Sequence, residues 1–174
     1  MSWTNTLIES ERLMLRPFAA SDAGEAFACI TPGLTRYMDF EPAASEAAFA
    51  EVWREWLPLI ASGADFTFVL RQRSDGHFLG LAGLHRCADP TPELGIWIRE
   101  DHHGHGYGRE AVAAVAAWAA DTFGAPAFLY PVAVDNRPSR RLVEALGGQL
   151  QGPLRRRKYA AVLYRLPAAS LNPA

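Results

Sequence analysis

The sequence is poor in the features that most quickly narrow a function. Cysteine occurs only at Cys29 and Cys87, in unrelated contexts and without paired spacing. That argues against a disulfide framework or a thiolate metal site and leaves two reduced thiols. No apolar run approaches the roughly 18–20 residues that span a bilayer. The first residues, MSWTNTLIESERL, have no basic start, apolar core or small-residue cleavage site, so a cytoplasmic location without membrane contact is expected. An excess of one charge is also missing. Over 174 residues the formal net charge is −2 with both signs scattered, and a nucleic-acid partner held by phosphate neutralisation is not expected. The local exception is the basic run Arg155, Arg156, Arg157 and Lys158. Length and ordinary composition fit one domain spanning 1–174 with a single core, its last half dozen residues frayed.

Periodicity supplies the elements. ERLMLRPF (11–18) alternates like a strand, and SDAGEAFACI reads as a helix capped by Ser21 or Asp22. Residues 31–44 mix aromatic and long apolar side chains with turn formers, as in a loop packed against something, and are a candidate homodimer contact. Ser45 opens an amphipathic helix with Phe49, Trp53, Trp56, Leu57 and Ile60 on one stripe; Pro58 is expected to kink its last turn and Gly63 to stop it. Then the period changes. DFTFVLRQR and HFLGLAGLHR form a hairpin about SDG, ELGIWIRE (93–100) is a further strand, and GREAVAAVAAWAADTFG is a helix ending at Gly124. AFLYPVAV (127–134) is a strand, NRPSRRLVEALGG a short helix with Pro138 near its start, and LQGPLRRRKYAAVLYRLP a closing hairpin. The expected order is β-α-α-β-β-β-α-β-α-β-β. This is an α/β (α+β) domain with one mixed, mostly antiparallel central sheet and helices on both faces.

The stretch REDHHGHGYGREA (99–111) carries the strongest chemical signal. His102, His103 and His105 suggest a metal site, but on a glycine-rich loop their imidazoles diverge, and His77 and His85 sit on the hairpin without cysteine or carboxylate company. A phosphate loop of the Gly-x-x-x-x-Gly-Lys type fails because no lysine follows Gly108, and Arg109 stands where a dinucleotide fingerprint needs its third glycine. The physics shared by those motifs survives. A strand ends near Glu100, a helix starts near Gly108, and Gly104, Gly106 and Gly108 let an anion approach unsatisfied helix N–H groups.

With ELGIWI before it and NRPS after it, HGHGYGREA resembles the acyl-CoA pyrophosphate loop of the GNAT superfamily of N-acyltransferases, usually Gln/Arg-x-x-Gly-x-Gly/Ala. His103 stands at the first position, and Gly106 and Gly108 match the two glycine positions. ELGIWI is similar to the strand that holds the pantetheine arm, and VDNRPSRRLVEALGG to the later helix carrying Asn-x-x-Ser. IESERLMLRPF and TRYMDFEP resemble the subgroup that acetylates ribosomal-protein N-termini. The resemblance implies the GNAT fold, acetyl-CoA as co-substrate, no metal, and direct transfer to an amine acceptor such as a peptide or protein N-terminus or a small amine. It implies that Gly104, Gly106, Gly108 and the Arg109 N–H take the pyrophosphate, with His103 acting through its backbone. Backbone groups of Ile96, Trp97 and Ile98 would pair with the pantetheine amides, and one N–H on that strand would stabilise the oxyanion. Val143 occupies the place where many relatives carry a tyrosine that protonates the leaving thiolate, so Ser139 becomes the candidate acid or sulfur partner.

The chemistry also needs a proton acceptor, since only about one primary amine in a thousand is neutral at pH 7. Glu93 is the candidate base: on an extended strand it shares a face with Trp97 and with Gly95, which has no side chain to block its reach. Asn136 either holds the cofactor or its water, or caps the helix that follows. Tyr37, Met38, Phe40 and Trp97 are candidate walls of the acceptor pocket. Arg140, Arg141 and the 155–158 run meet either the adenosine 3′-phosphate or solvent. Two rival functions stand beside this one: a non-catalytic acyl-CoA-binding module, and a metal-dependent hydrolase built on the loop histidines.

Overall fold

A computed structural model describes residues 2–171. The N-terminal segment holds two short strands, β1 (Ile8–Glu9) and β2 (Leu13–Pro17), paired as a hairpin where one strand over 11–18 was expected. Two helices follow, α1 (Ala23–Cys29) and the single turn α2 (Pro32–Thr35), which lies in the segment read as a loop. Thr31 caps α2 by accepting the Leu34 N–H, and Ser45 caps the long helix α3 (Glu46–Ser62) through the Ala48 N–H. The helix α3 continues through Pro58 and ends at Gly63, whose φ of 73° is the left-handed stop that glycine provides. Three antiparallel strands come next, β3 (Phe66–Gln72), β4 (Phe78–His85) and β5 (Glu93–Ile98). The chain closes with α4 (Tyr107–Phe123), β6 (Ala127–Ala133), α5 (Arg137–Ala145), β7 (Gln149–Arg155) and β8 (Ala160–Pro167). A 3-10 turn, Ala168–Leu171, ends the described chain; Ser170 Oγ lies 2.8 and 2.7 Å from Leu146 O and Pro167 O, which share its one hydroxyl proton. The expected fraying therefore does not hold for 169–171, which are tied to the body, while 172–174 lie outside the described residues.

One sheet joins all eight strands in the order β1-β2-β3-β4-β5-β6-β8-β7, and β5–β6 is its parallel neighbour pair. The alternation of β3 assigns its two faces. Phe66 and Phe68 stack on each other and meet Trp118 of α4 edge-on, with Trp3 and Phe123 completing that core. On the opposite face α1 and α3 pack through Phe18, Phe27, Phe49, Trp53 and Trp56. The mixed sheet covered on both faces is the architecture the patterning predicts. Among the described residues no helix is long and apolar enough to cross a membrane. Cys87 is buried and Cys29 partly so, both as free thiols; burial pushes the Cys87 thiol up to about 12.

Asp22 precedes α1, but its carboxylate does not cap that helix. It is 1% exposed and accepts from Arg16 Nη1 and Nη2, Arg71 Nη2 and the Ala19 N–H at 2.7–3.0 Å. Burial alone would raise its carboxyl, yet the bonds from Arg16, Ala19 and Arg71 outweigh it and hold the group below the usual carboxylate range. A depressed carboxyl stabilises the fold above its unfolded pKa and loses that contribution as pH falls through its lower folded value. Asp22→Asn is expected to cost about 2–4 kcal/mol in urea unfolding at pH 7, with the gap from the parent narrowing below about pH 4.

Candidate active site

The sheet opens where β5 meets β6. Pairing between them is confined to Glu93 opposite Leu129, with the Leu129 N–H on Pro92 O at 2.9 Å, and the strands then diverge. On its other edge β5 is paired with β4 along its whole length, and Arg99 N–H donates to Leu79 O at 2.8 Å. Because strand hydrogen bonds alternate in direction, odd-numbered residues of β5 bond β4 and even-numbered residues face the gap. Ile96 and Ile98 thus present backbone groups to the opening, whereas the backbone of Trp97, expected to do the same, is turned to β4. The Trp97 side chain instead lies nearly buried on the α3 face of the sheet.

The glycine loop stands at one end of the gap. Gly104 and Gly106 have φ of 81° and 80°, left-handed values that favour glycine, and Gly106 is the residue before α4. The first bond of that helix runs from Glu110 N to Gly106 O, so the N–H groups of Tyr107, Gly108 and Arg109 have no acceptor within the helix and no side-chain cap. A Cβ at Gly104 would meet nothing within 4 Å. At Gly108 the reason for glycine is close packing. A Cβ there would sit 3.1 Å from Leu142 of α5 and 3.7 and 3.9 Å from Ile98 and Ile96. Its absence lets α4, α5 and β5 converge.

Sequence reasoning missed what fixes the loop. Arg12 on β2's side donates to His105 O and Glu110 Oε2 and lies 4.5 Å over the Tyr107 ring. Glu110 also accepts from Ser10 Oγ and the Arg12 N–H; these bonds overcome its burial and keep its carboxyl below the ordinary range. The His103 ring lies with Nε2 2.5 Å from Ile98 O, and its backbone N–H donates to Glu100 O at 3.3 Å. His102 pairs with Asp101, and His105 packs beside Tyr107. The His102 ring lies between those of His77 and His105, with centroids 5.0 and 6.5 Å away, and among the described residues no group of three His, Cys, Asp or Glu side chains could hold a metal.

At the other wall Asn136 caps α5, accepting the Ser139 N–H at 3.3 Å. Ser139 Oγ lies 2.7 Å from the Tyr130 hydroxyl of β6. Burial pushes that phenol up to about 12, with the Ser139 bond opposing the rise, so it stays protonated at neutral pH. Tyr130 lies within an apolar strand run that gives no sign of a hydroxyl contact. Val143 is fully buried against Gly148, within the core.

A cavity of about 360 Å³ opens on the α3 face of β4 and β5. Met38, Phe40 and Trp97 line it, with Ile30, Phe49, Val52 and Trp56, while Tyr37 is outside the lining and stacks on Arg36. Of the apolar side chains of 31–44, Leu34 is buried and Met38 packs against the core, while Phe40 stays 42% exposed at the cavity rim. Lys158 pins that segment by donating to Thr35 O and Phe40 O and pairing with Glu41, and Tyr159 donates to Asp39. Glu93 accepts from Arg86 at 2.8 Å and lies 3.8 Å from Arg156. His85 also lines the cavity, and it does have carboxylate company: its Nδ1 is 3.1 Å from Asp65, twenty residues earlier in the chain. Arg140 is held inward by Tyr164 and Val134 O, and Arg141 is exposed.

Residues 12–149 match the acetyltransferase (GNAT) domain family. An uncharacterized N-acetyltransferase of Bacillus subtilis, YoaA, is 26% identical over 156 residues, 88% of each chain. Among solved structures, RimJ of Mycobacterium smegmatis in complex with CoA-disulfide superposes with a TM-score of 0.86 at 18% identity, covering 99% of this chain and 92% of that one. Spermidine N-acetyltransferase from Vibrio cholerae in complex with CoA and spermine gives 0.80 at 19% identity, covering 93% and 99%. The left-handed geometry of the loop predicts that Gly106→Ala costs about 1 kcal/mol in chemical unfolding. Gly95→Ala, where a Cβ meets open space, should cost less than half as much.

Proposed function

The chain belongs to the GNAT acetyltransferase family and is an acetyl-CoA-dependent acyltransferase, and we propose that its acceptor is a primary amine borne on an apolar body. A small arylalkylamine or a peptide N-terminus with a bulky apolar first residue meets that description. The observation that carries this reading is the cavity, aromatic and aliphatic on most sides, which adjoins the open edge of β5. Its lining carboxylate, Glu41, is already paired with Lys158, which disfavours a polycationic acceptor.

In this reading the N–H groups of Tyr107, Gly108 and Arg109 bind the pyrophosphate at the positive end of α4, and Gly104 and Gly106 keep side chains out of its path. Ile96 and Ile98 pair with the pantetheine amides as an added strand would, and an N–H of this edge stabilises the oxyanion of the attacked thioester. Asn136 holds the first turn of α5 and so sets the position of Ser139. With Tyr130 protonated and donating to Ser139 Oγ, the serine's own proton is free to turn toward the departing thiolate. The acid role thus passes to a Tyr130–Ser139 relay, since position 143 is committed to the core.

Thiol release from acetyl-CoA with phenethylamine, spermidine and peptides of varied first residue tests the reading. Turnover is expected with the apolar amines; tight acetyl-CoA binding without turnover on any amine would make the chain a binding module. Ser139→Ala should lower kcat about 100-fold and Tyr130→Phe about 10-fold, both with little change in KM for acetyl-CoA. Gly106→Val should instead raise that KM tenfold or more, and an unaltered KM would count against the loop's role.

A further inference from the structure

Opposite one another on β4 and β5, Gly83 and Gly95 leave a bare patch on the sheet face that floors the cavity. A Cβ at Gly95 would meet nothing within 4 Å, so the space above it is open. A Cβ at Gly83 would fall 2.5 Å from His85 Nε2, because the imidazole lies back over that glycine. Both glycines make room, one for the ring and the other for whatever enters beside it.

The other ring nitrogen fixes the tautomer. A carboxylate only accepts, so His85 Nδ1 must donate to Asp65 Oδ2 at 3.1 Å. In the neutral imidazole this leaves Nε2 with its lone pair free, and among the described residues it has no hydrogen-bond partner. Asp65 is itself oriented, since its Oδ1 accepts the Arg86 N–H at 2.8 Å. Reaching that geometry puts Arg86 at φ 57°, the one left-handed non-glycine residue among those described. Backbone strain retained beside a cavity needs a compensating reason, and holding the Asp65–His85 pair supplies one.

Resting on the acetyltransferase reading above, we infer that His85 is the general base for the acceptor amine and that Asp65 is its positioning residue. Nε2 takes one proton from the ammonium, and the freed lone pair forms the C–N bond at the thioester carbonyl. As the C–S bond breaks the nitrogen passes its second proton to Ser139 Oγ, whose own hydroxyl proton goes to the departing thiolate, so the serine ends as it began. The proton on His85 then passes to solvent, across a side chain that is 43% exposed. Asp65 stabilises the imidazolium formed on the way, as an orienting carboxylate does. Glu93, directly across from His85 in the sheet, is less suited to proton abstraction. Its carboxylate is bonded by Arg86 and faced by Arg156. The charged and titratable groups facing the imidazole are Asp65 from the segment before β3, Glu93 from β5, Arg86 at the end of β4, and Glu41 across the cavity.

The test is kcat/KM against pH, with acetyl-CoA and the best amine of the panel, for the parent, His85→Gln, Asp65→Asn and Glu93→Gln. His85→Gln should lose at least 100-fold at pH 7 and abolish the acid limb, with KM for acetyl-CoA within about threefold. Added imidazole should partly restore His85→Ala. Asp65→Asn, which releases the ring from its fixed orientation, should lower kcat with KM for acetyl-CoA within about threefold, and Glu93→Gln should keep the acid limb. An active His85→Gln with an unchanged acid limb overturns the assignment while leaving the acetyltransferase reading intact; a parent inactive on every amine overturns both. Independently of any variant's folding, nitrogen NMR of the parent should show the neutral imidazole carrying its proton on Nδ1 and none on Nε2. The opposite tautomer would overturn the inference.

Discussion

The parting of β5 and β6 after a single paired position is the constraint on which the site depends. Each strand is fully paired along its outer edge, β5 with β4 and β6 with β8. The split is therefore held open by a sheet that is otherwise continuous. Backbone N–H and C=O groups do not stay unpartnered in a protein interior. The edge at Ile96 and Ile98 is accordingly a place where some other chain of amides belongs, and His103 already satisfies the one carbonyl at its end. A one-sided glycine loop, a capped helix start and a buried tyrosine would mean little apart. Gathered around this gap they face a common line.

The groups proposed for proton transfer approach that line from different elements. The Tyr130–Ser139 pair belongs to β6 and α5, and the Asp65–His85 pair to the segment before β3 and to β4. An acid for the thiolate and a base for the amine need different protonation states at one pH, and the structure separates them by environment. Tyr130 is kept neutral by burial, whereas His85 sits half-open at the cavity, where its proton can leave to water.

Much of the fold was legible because local pattern and tertiary role agree. The switch from helical spacing in 45–63 to alternation in 66–98 marks where the sheet begins, and glycines at 63 and 124 mark helix ends through left-handed φ. The short β1 and α2 were lost because two residues or a single turn give no period to read. The glycine loop could be found from its spacing alone, since the φ values at Gly104 and Gly106 depend on residue type. Pairings across long sequence distances could not. Arg12 meets Glu110, Tyr130 meets Ser139 and His85 meets Asp65 only after the strands align, and nothing adjacent to any of them signals the partner. Glu93 was legible as a carboxylate on the correct face, but the arginines that hold it were not. Trp97 shows the same limit, for its backbone direction follows from sheet order, which the sequence of one strand does not contain.

Amide hydrogen exchange with and without coenzyme A tests the central claim most directly. If the gap between β5 and β6 seats the pantetheine arm and α4 its pyrophosphate, exchange at Ile96, Ile98, Tyr107, Gly108 and Arg109 slows on binding while Trp97, already bonded to β4, changes little. Protection that spares Ile96 and Ile98, or that appears on another edge of the sheet, would contradict the account.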